Sequence, residues 1–334
     1  MNVLVLSAEA SAINYIRSLK KRYDMQLFVT DCNKYASGLY DETITPVTIP
    51  PARDLENYRN KLDEIIKQYR INILIPTSDY DMEGVLELVN RGWDTPVNFF
   101  KPDYNIFHTL SHKKKVMETL HEKGFRVPLI YNNPSEVEYP VVVKPCREAG
   151  GKGVSVAVNE KDLLKYISSI SRNFGSEIVL QEFIPGDAGS IHVVLLLYGN
   201  DGNIYGEVVT KSQLTFMTWG GYGNAGTLAV EPDLLNFSKK IISSMGGWCG
   251  PINLEFKKHS GNGHFYLMEV NCRLNGYSYF TTLAGLNYPA AVIELLSTGK
   301  TDYLSIEKCN EEANFIIGFR ERIVEKWITD EEMI

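Results

Sequence analysis

No stretch of this 334-residue sequence stays apolar for the roughly 18 to 20 residues that a bilayer-spanning helix needs, so a membrane anchor is not expected. The first residues run directly into the apolar strand VLVL, with neither a basic segment nor a long apolar stretch before it, and export is not expected either. An excess of positive charge is also missing. The 34 Lys and Arg stand against 41 Asp and Glu, a net charge of −7, which argues against counterion-release binding to nucleic acid or an anionic membrane. Small anionic ligands stay compatible, since a local basic pocket needs only a few side chains. Cysteine is sparse. Cys32, Cys146, Cys249, Cys272 and Cys309 are odd in number, scattered and without close metal-type spacing, which favours a reduced cytoplasmic compartment over a disulfide scaffold and gives no sign of zinc. The turn after the first strand, SAEAS, has no glycine. A dinucleotide fingerprint needs glycines there so that the backbone can approach a pyrophosphate, and a nicotinamide dehydrogenase is disfavoured accordingly.

What is present suits a globular chain of two or three domains, with 44% apolar and 22% charged residues. Residues 2–7 read as a strand, 12–22 as a helix through Ile13, Ile16 and Leu19, and 25–30 as a second strand. A helix at 54–69, a strand at 71–76 and a helix at 81–91 follow, which together predict an open α/β layer with a parallel sheet over the first 100 residues or so. Residues 106–124 predict one helix carrying Lys113, Lys114 and Lys115. The composition then turns β-like. Strands are expected at 140–145, 153–158, 178–184, 191–198, 204–210, 252–257 and 264–271, with helices near 160–172, 233–246 and 287–298, giving two mixed α+β layers.

Three constellations carry chemistry. Lys144 ends the strand PVVVKP, and Gly150, Gly151 and Gly153 lie in the turn to the strand VSVAV. Backbone amides of such a glycine hairpin can approach polyphosphate oxygens while the lysine supplies a fixed charge; the plain alternative is a β-hairpin with turn glycines. Gln181-Glu182-Phe183-Ile184-Pro185-Gly186-Asp187 ends an apolar strand at a Pro-Gly break. That junction can present backbone groups to an adenine edge and Asp187 to ribose hydroxyls, or be a strand end with solvated acids. The third is formed by the strands INLEF and YLMEVNCR. Glu269, Asn271 and Arg273 share one face because the side-chain period of a strand is two, and Glu255 comes from the neighbouring strand. Hard oxygens in this arrangement suit Mg²⁺, and acids inside such apolar strands need partners; an exposed sheet face is the alternative.

The order of these motifs, Lys113 on a helix, Lys144, the glycine flap, the 181–187 hinge, then Glu255 and Glu-x-Asn-x-Arg, resembles the ATP-grasp superfamily, and most of all its carbamoyl-phosphate-synthetase-like carboxylate:amine ligases. The resemblance covers nearly the whole chain. It implies an α/β and α+β fold: an N-terminal open parallel-sheet (pre-ATP-grasp) domain over 1–105, an ATP-grasp small lobe with the flap over 106–185, and a large lobe with the metal site over 186–334. It also implies a ligase that activates a carboxylate as an acyl phosphate with ATP and joins it to an amine, releasing ADP and phosphate, with amino-acid-like substrates. Lys113 and Lys144 would hold the α and β phosphates, and the amides of Gly150, Gly151 and Gly153 would cover the β and γ phosphates. Gln181, Glu182 and Ile184 would line the adenine slot, with Asp187 on the ribose. Glu255, Glu269 and Asn271 would hold one or two Mg²⁺, or Mn²⁺ in their place. Arg273 would steady the transferring phosphoryl group. Partners would be small-molecule carboxylate and amine substrates, and a homodimer is one allowed assembly.

Three positions depart from the family pattern. His112 stands where an aspartate is frequent, Ala149 where a hydroxyl residue often helps the flap, and Cys272 where proline is usual. They motivate the alternative of a non-catalytic or regulatory ATP-binding module. Cys272 alternates with Asn271 and is expected to be a packed thiol. The glycine- and aromatic-rich segment 211–227 is expected to close over the substrate, with Lys211 balancing substrate or phosphate charge, and Asn275, Gly276 and Tyr277 are expected near the acceptor.

Overall fold

Strand β1 (Asn2–Leu6) turns Val3 and Val5 to one side and Leu4 and Leu6 to the other, all four without solvent exposure, as a central parallel strand requires. With β2 (Gln26–Asp31), β3 (Thr45–Thr48) and β4 (Ile73–Pro76) it forms a parallel sheet in the order β3-β2-β1-β4. The edge strand β3, TPVT, escapes sequence reading because it is short and holds a proline. Helix α1 (Ser11–Leu19) joins Val3 and Val5 in one core, while α2 (Leu55–Tyr69) and α3 (Asp79–Asn90) cover Leu4 and Leu6. The computed structural model describes residues 1–317 apart from Ala10, 21–23, 147–150, Ser176, 218–219, Asn275, Tyr277, Ile306 and Lys308, with backbone alone at 216, 217 and 220–222.

The helix expected over 106–124 is two helices, α4 (Tyr104–Leu110) and α5 (Lys113–Glu122). Each has its own cap: Asp103 accepts from the amides of Asn105 and Ile106 at 2.9 Å, and His112 Nδ1 accepts from Lys115 N at 3.3 Å. The break makes Lys113 the first residue of α5.

A four-stranded sheet follows, formed by β5 (Ile130–Tyr131), β6 (Val141–Pro145), β7 (Ser155–Ala157) and, beyond α6 (Glu160–Phe174), β8 (Ile178–Glu182), in the order β5-β8-β6-β7. Val141, Val143 and Leu180 pack with Leu163 and Ile170 of α6. The opposite face of the sheet therefore carries Val142, Lys144, Val179 and Gln181, which are neighbours in the β6–β8 register.

The third sheet is built from β9 (Ile191–Tyr198), β10 (Ile204–Met217), β11 (Gly220–Ala229), β12 (Gly250–Lys258), β13 (Phe265–Asn271) and β14 (Asn314–Ile316), in the order β13-β12-β9-β10-β11-β14. The described residues of 211–227 are thus strand. They continue β10 and return as β11 in an antiparallel ladder with shifts of register near Leu214 and Thr215. Helix α7 (Pro232–Ser244) joins α4 and α5 over the face that carries Val194, Leu196, Leu254 and Phe256. Val193, Leu195 and Leu197 look the other way, into the core that includes β1, α1, α8 (Ser278–Leu283) and α9 (Tyr288–Thr298). No helix among the described residues is long and apolar enough to cross a membrane.

Candidate functional site

The β12–β13 ladder sets Glu255 opposite Glu269 and Asn253 opposite Asn271. Cross-strand partners share a face, so two carboxylates and two carboxamides line one side of adjacent strands, the side of Val193 and Leu195 and away from α7. Between Glu255 and Phe256 the register shifts by one, leaving Met268 unpaired. Asn271 Nδ2 donates to Glu255 Oε1 at 3.3 Å, and Lys113 Nζ lies 3.1 Å from Glu269 Oε1. Burial first, and then the charge of Glu269, raises the Glu255 carboxyl to about 7; Arg273, Lys113 and Lys144 pull it back down. Two carboxylates thus meet three cations, and it is burial, more than any surplus of negative charge, that holds a proton on Glu255.

This donor set suits a hard divalent cation: carboxylate and amide oxygens on a rigid ladder, one acid kept partly protonated by burial and by its carboxylate neighbour. A further observation agrees. Asn253 is fully buried, and neither of its amide atoms has a hydrogen-bond partner among the described residues. Its position two residues before Glu255, and so on the same face of the strand, is the sequence signal for it.

Lys144 approaches from the second sheet. It is 7% exposed, and burial drives its ammonium down to about 8 against the opposing attraction of Glu269, with Lys113 adding repulsion. The α6-free face of β6–β8 therefore looks toward the carboxylates. Gln181 shares that face, fully buried with both amide atoms unpartnered among the described residues. Glu182 does not. It is opposite Val141, and its Oε2 accepts from Leu129 N at 3.0 Å while its own amide donates to Leu129 O at 2.8 Å. The carboxamide of the pair, not the carboxylate, faces the space between the sheets.

Past β8, Ile184 is buried and Asp187 exposed, beside an open cleft of about 530 Å³ also lined by Ser190, Lys258 and His259. Lys257 Nζ sits 5.0 Å over the Phe183 ring, which ties the hinge to the carboxylate-bearing sheet. In the flap, Gly150 lies outside the described residues, as does Ala149. Gly151 and Gly153 both have φ of 74°, and a Cβ on Gly153 would lie 2.8 Å from Phe174 and 3.0 Å from Pro145. Only glycine fits that turn.

Arg273 has a wider reach than its motif implied. One Nη donates to Asn271 Oδ1 and lies 3.3 Å from Asp79 Oδ2; the other donates to Ser11 Oγ and Leu274 O at 3.2 Å. It links the carboxylate face to the starts of α1 and α3, contacts that sequence reasoning missed because Ser11 and Asp79 are so distant along the chain. Cys272 is fully buried on the α7 side, as expected. Asn275 and Tyr277 lie outside the described residues; Gly276 O accepts from Asn14 Nδ2 at 3.1 Å.

Lys211 is not brought to this group. Its register partners are His192 and Thr227, whereas Glu255 aligns through Val193 with Thr210. One step along a strand changes faces, so Lys211 belongs to the side of the sheet opposite Glu255 and Glu269. Sequence alone leaves that parity open, since it depends on the pairing.

The family model described as ATP-grasp domain matches residues 110–277, half of the chain. The D-aspartate ligase of Enterococcus faecium is 24% identical over 242 residues, which are 64% of this chain and 56% of that relative. The chain spans 56 to 62% of the first curated relatives it matches. Among solved structures, N5-carboxyaminoimidazole synthetase from Staphylococcus aureus complexed with ADP superposes with a TM-score of 0.69 at 17% identity, covering 90% of this chain and 78% of that one. The biotin carboxylase domain of Hydrogenobacter thermophilus 2-oxoglutarate carboxylase, in complex with MgADP and bicarbonate, gives 0.67 at 16%, covering 94% and 73%. With the lysines, hinge and carboxylate ladder in the places just described, the match over 110–277 establishes that this chain belongs to the ATP-grasp family.

Proposed function

We propose that the chain is an ATP-dependent ligase that phosphorylates a carboxylate and joins the resulting acyl group to an amine, with release of ADP and phosphate. The observation that carries this reading is the approach of Lys113 and Lys144, from one side of the space between two sheets, to Glu255 and Glu269 on the other.

Lys113 and Lys144 hold the polyphosphate as fixed charges, and the amides of the flap glycines cover its outer oxygens. Gln181 and the backbone around Ile184 take the adenine, and Asp187 the ribose. Glu255, Glu269 and Asn271 would hold one or two Mg²⁺, with Mn²⁺ as a replacement, and the metal would supply neutralisation of phosphate charge during transfer. No side chain has to act as nucleophile. The substrate carboxylate attacks the γ-phosphorus, and the amine then displaces phosphate from the acyl carbon, so the protein's share is alignment and electrostatics. Arg273, hydrogen-bonded to Asn271 and reaching the N-terminal loops, orients the acyl phosphate. We assign residues 1–105 as the N-terminal domain, 106–185 as the small lobe and 186–334 as the large lobe. An amino-acid-like substrate is favoured by the similarity to a D-aspartate ligase.

The test is to supply ATP, Mg²⁺ and a panel of amino acids including D-aspartate, and to measure ADP and phosphate. AMP and pyrophosphate as products would overturn the acyl-phosphate route. A non-catalytic module draws no support from the site, where the carboxylates and both lysines are present.

A further inference from the structure

His112, Cys146 and Glu177 are far apart in sequence, yet they offer one nitrogen, one sulfur and one oxygen that lie within 4.8 Å of one another. Three separate elements deliver them. His112 precedes α5, Cys146 follows β6, and Glu177 precedes β8, where its carbonyl accepts from Cys146 N at 3.2 Å and fixes the two backbones side by side. His112 Nε2 is 3.1 Å from Glu177 Oε1, and Cys146 Sγ stands beside the ring, 3.5 Å from Nδ1 and 3.7 Å from Nε2. A tetrahedral Zn²⁺, with sulfur at about 2.3 Å and nitrogen or oxygen at about 2.0–2.1 Å, sets its ligands roughly 3.3–3.6 Å apart. The nitrogen–oxygen and nitrogen–sulfur separations are of this size, so a swing of the Cys146 side chain from the ring edge to the Nε2 side completes three corners, and the exposed Glu177 leaves one side open for a water as fourth ligand.

We propose that His112 Nε2, Cys146 Sγ and Glu177 form a binding site for Zn²⁺, separate from the Glu255 and Glu269 ladder, and that its occupation uncaps α5. Cys146 binds as thiolate and releases its proton to solvent. A metal on Nε2 takes that nitrogen's lone pair and moves the ring hydrogen to Nδ1. Nδ1 is the acceptor for Lys115 N in the cap of α5, and it cannot accept once protonated. The ion and the cap therefore exclude each other, and the first residue released is Lys113. Zinc binding and ATP binding oppose one another through this helix end.

The experiment uses the full chain, Zn²⁺ alone as probe, and Co²⁺ as its spectroscopic replacement. One Zn²⁺ per chain is expected, retained in a Glu255→Gln, Glu269→Gln variant and bound about tenfold more weakly by Glu177→Gln, whose exposed position spares the fold. Co²⁺ should show a thiolate charge-transfer band that Cys146→Ser lacks. Zn²⁺ should also raise the ATP dissociation constant of the wild type about fivefold, the factor that the loss of a typical helix cap corresponds to. No cobalt–thiolate band in the wild type, or Zn²⁺ affinity unchanged in both Glu177→Gln and Cys146→Ser, overturns the site. An ATP affinity indifferent to bound Zn²⁺ overturns its link to α5.

Discussion

Lys113 Nζ and Glu269 Oε1 are 3.1 Å apart, so a cation on a helix occupies the oxygen that a metal would use. Under the proposed function, nucleotide phosphates would draw the lysine away and free the carboxylate. Replacing Lys113 with Met should therefore move two affinities in opposite directions: Mg²⁺ binding without nucleotide strengthens several-fold, and ATP binding weakens about 10- to 100-fold. Titration calorimetry on the variant measures both. A parallel fall in the two affinities would show that the lysine helps to hold the metal instead of competing with it.

Glu255 supplies a pH dependence with a definite sign. Its carboxyl is raised from 4.5 to about 7, so its contribution to the stability of the metal-free protein is complete below about 4.5 and is lost as pH rises through 7. Mg²⁺ prefers the carboxylate and displaces the proton. The gain in melting temperature on adding Mg²⁺ should be larger at about pH 8 than at about pH 6, measured by scanning calorimetry. An equal gain at both would remove Glu255 from the metal site.

Lys144 behaves in the reverse sense. Burial lowers it from 10.5 to about 8, so the free protein gains stability from this group as pH rises above 8. Phosphates bound as proposed would restore the ammonium. Near pH 9, ATP binding should take up a proton, visible as a dependence of the binding heat on the buffer's ionisation enthalpy. Lys144→Met should abolish that uptake. An uptake that persists in the variant belongs to another group.

Lys211 and Arg273 separate the sheet's two faces experimentally. Lys211→Met should leave turnover within about twofold, while Arg273→Lys, which loses the planar fork shared by Asn271, Ser11 and Asp79, should lower kcat by about 10- to 100-fold. Steady-state kinetics with ATP saturating decides the comparison. A large fall in Lys211→Met alone would put that lysine back among the catalytic groups.

The parts of this site that sequence reveals are those governed by local periodicity. Glu269, Asn271 and Arg273 could be set on one face because a strand repeats every two residues, and Lys144 could be set at the end of an apolar run. Pairing decides the rest. The glycines of β11 hide a strand behind turn-like composition, and the break between α4 and α5 is invisible to helical spacing that runs through Ser111 and His112. Lys211 shows the limit most clearly: its face depends on whether it aligns with His192 or with Val193, a single-residue difference that only the ladder settles. Arg273 meets Ser11 and Asp79 through the meeting of two sheets, which no local pattern encodes.

The unpaired Met268 gives the ladder an uneven tolerance to changes in chain length. Residues Phe265 to Leu267 lie beyond the bulge, so a one-residue deletion at Met268 would flatten the kink and leave Glu269 and Asn271 opposite Glu255 and Asn253. The same deletion between Glu269 and Asn271 would reverse the inward set of everything on one side of it and send a carboxylate or a carboxamide into the α7 core. Length variation in this hairpin is thus admissible at a single methionine and ruinous two residues further along the strand.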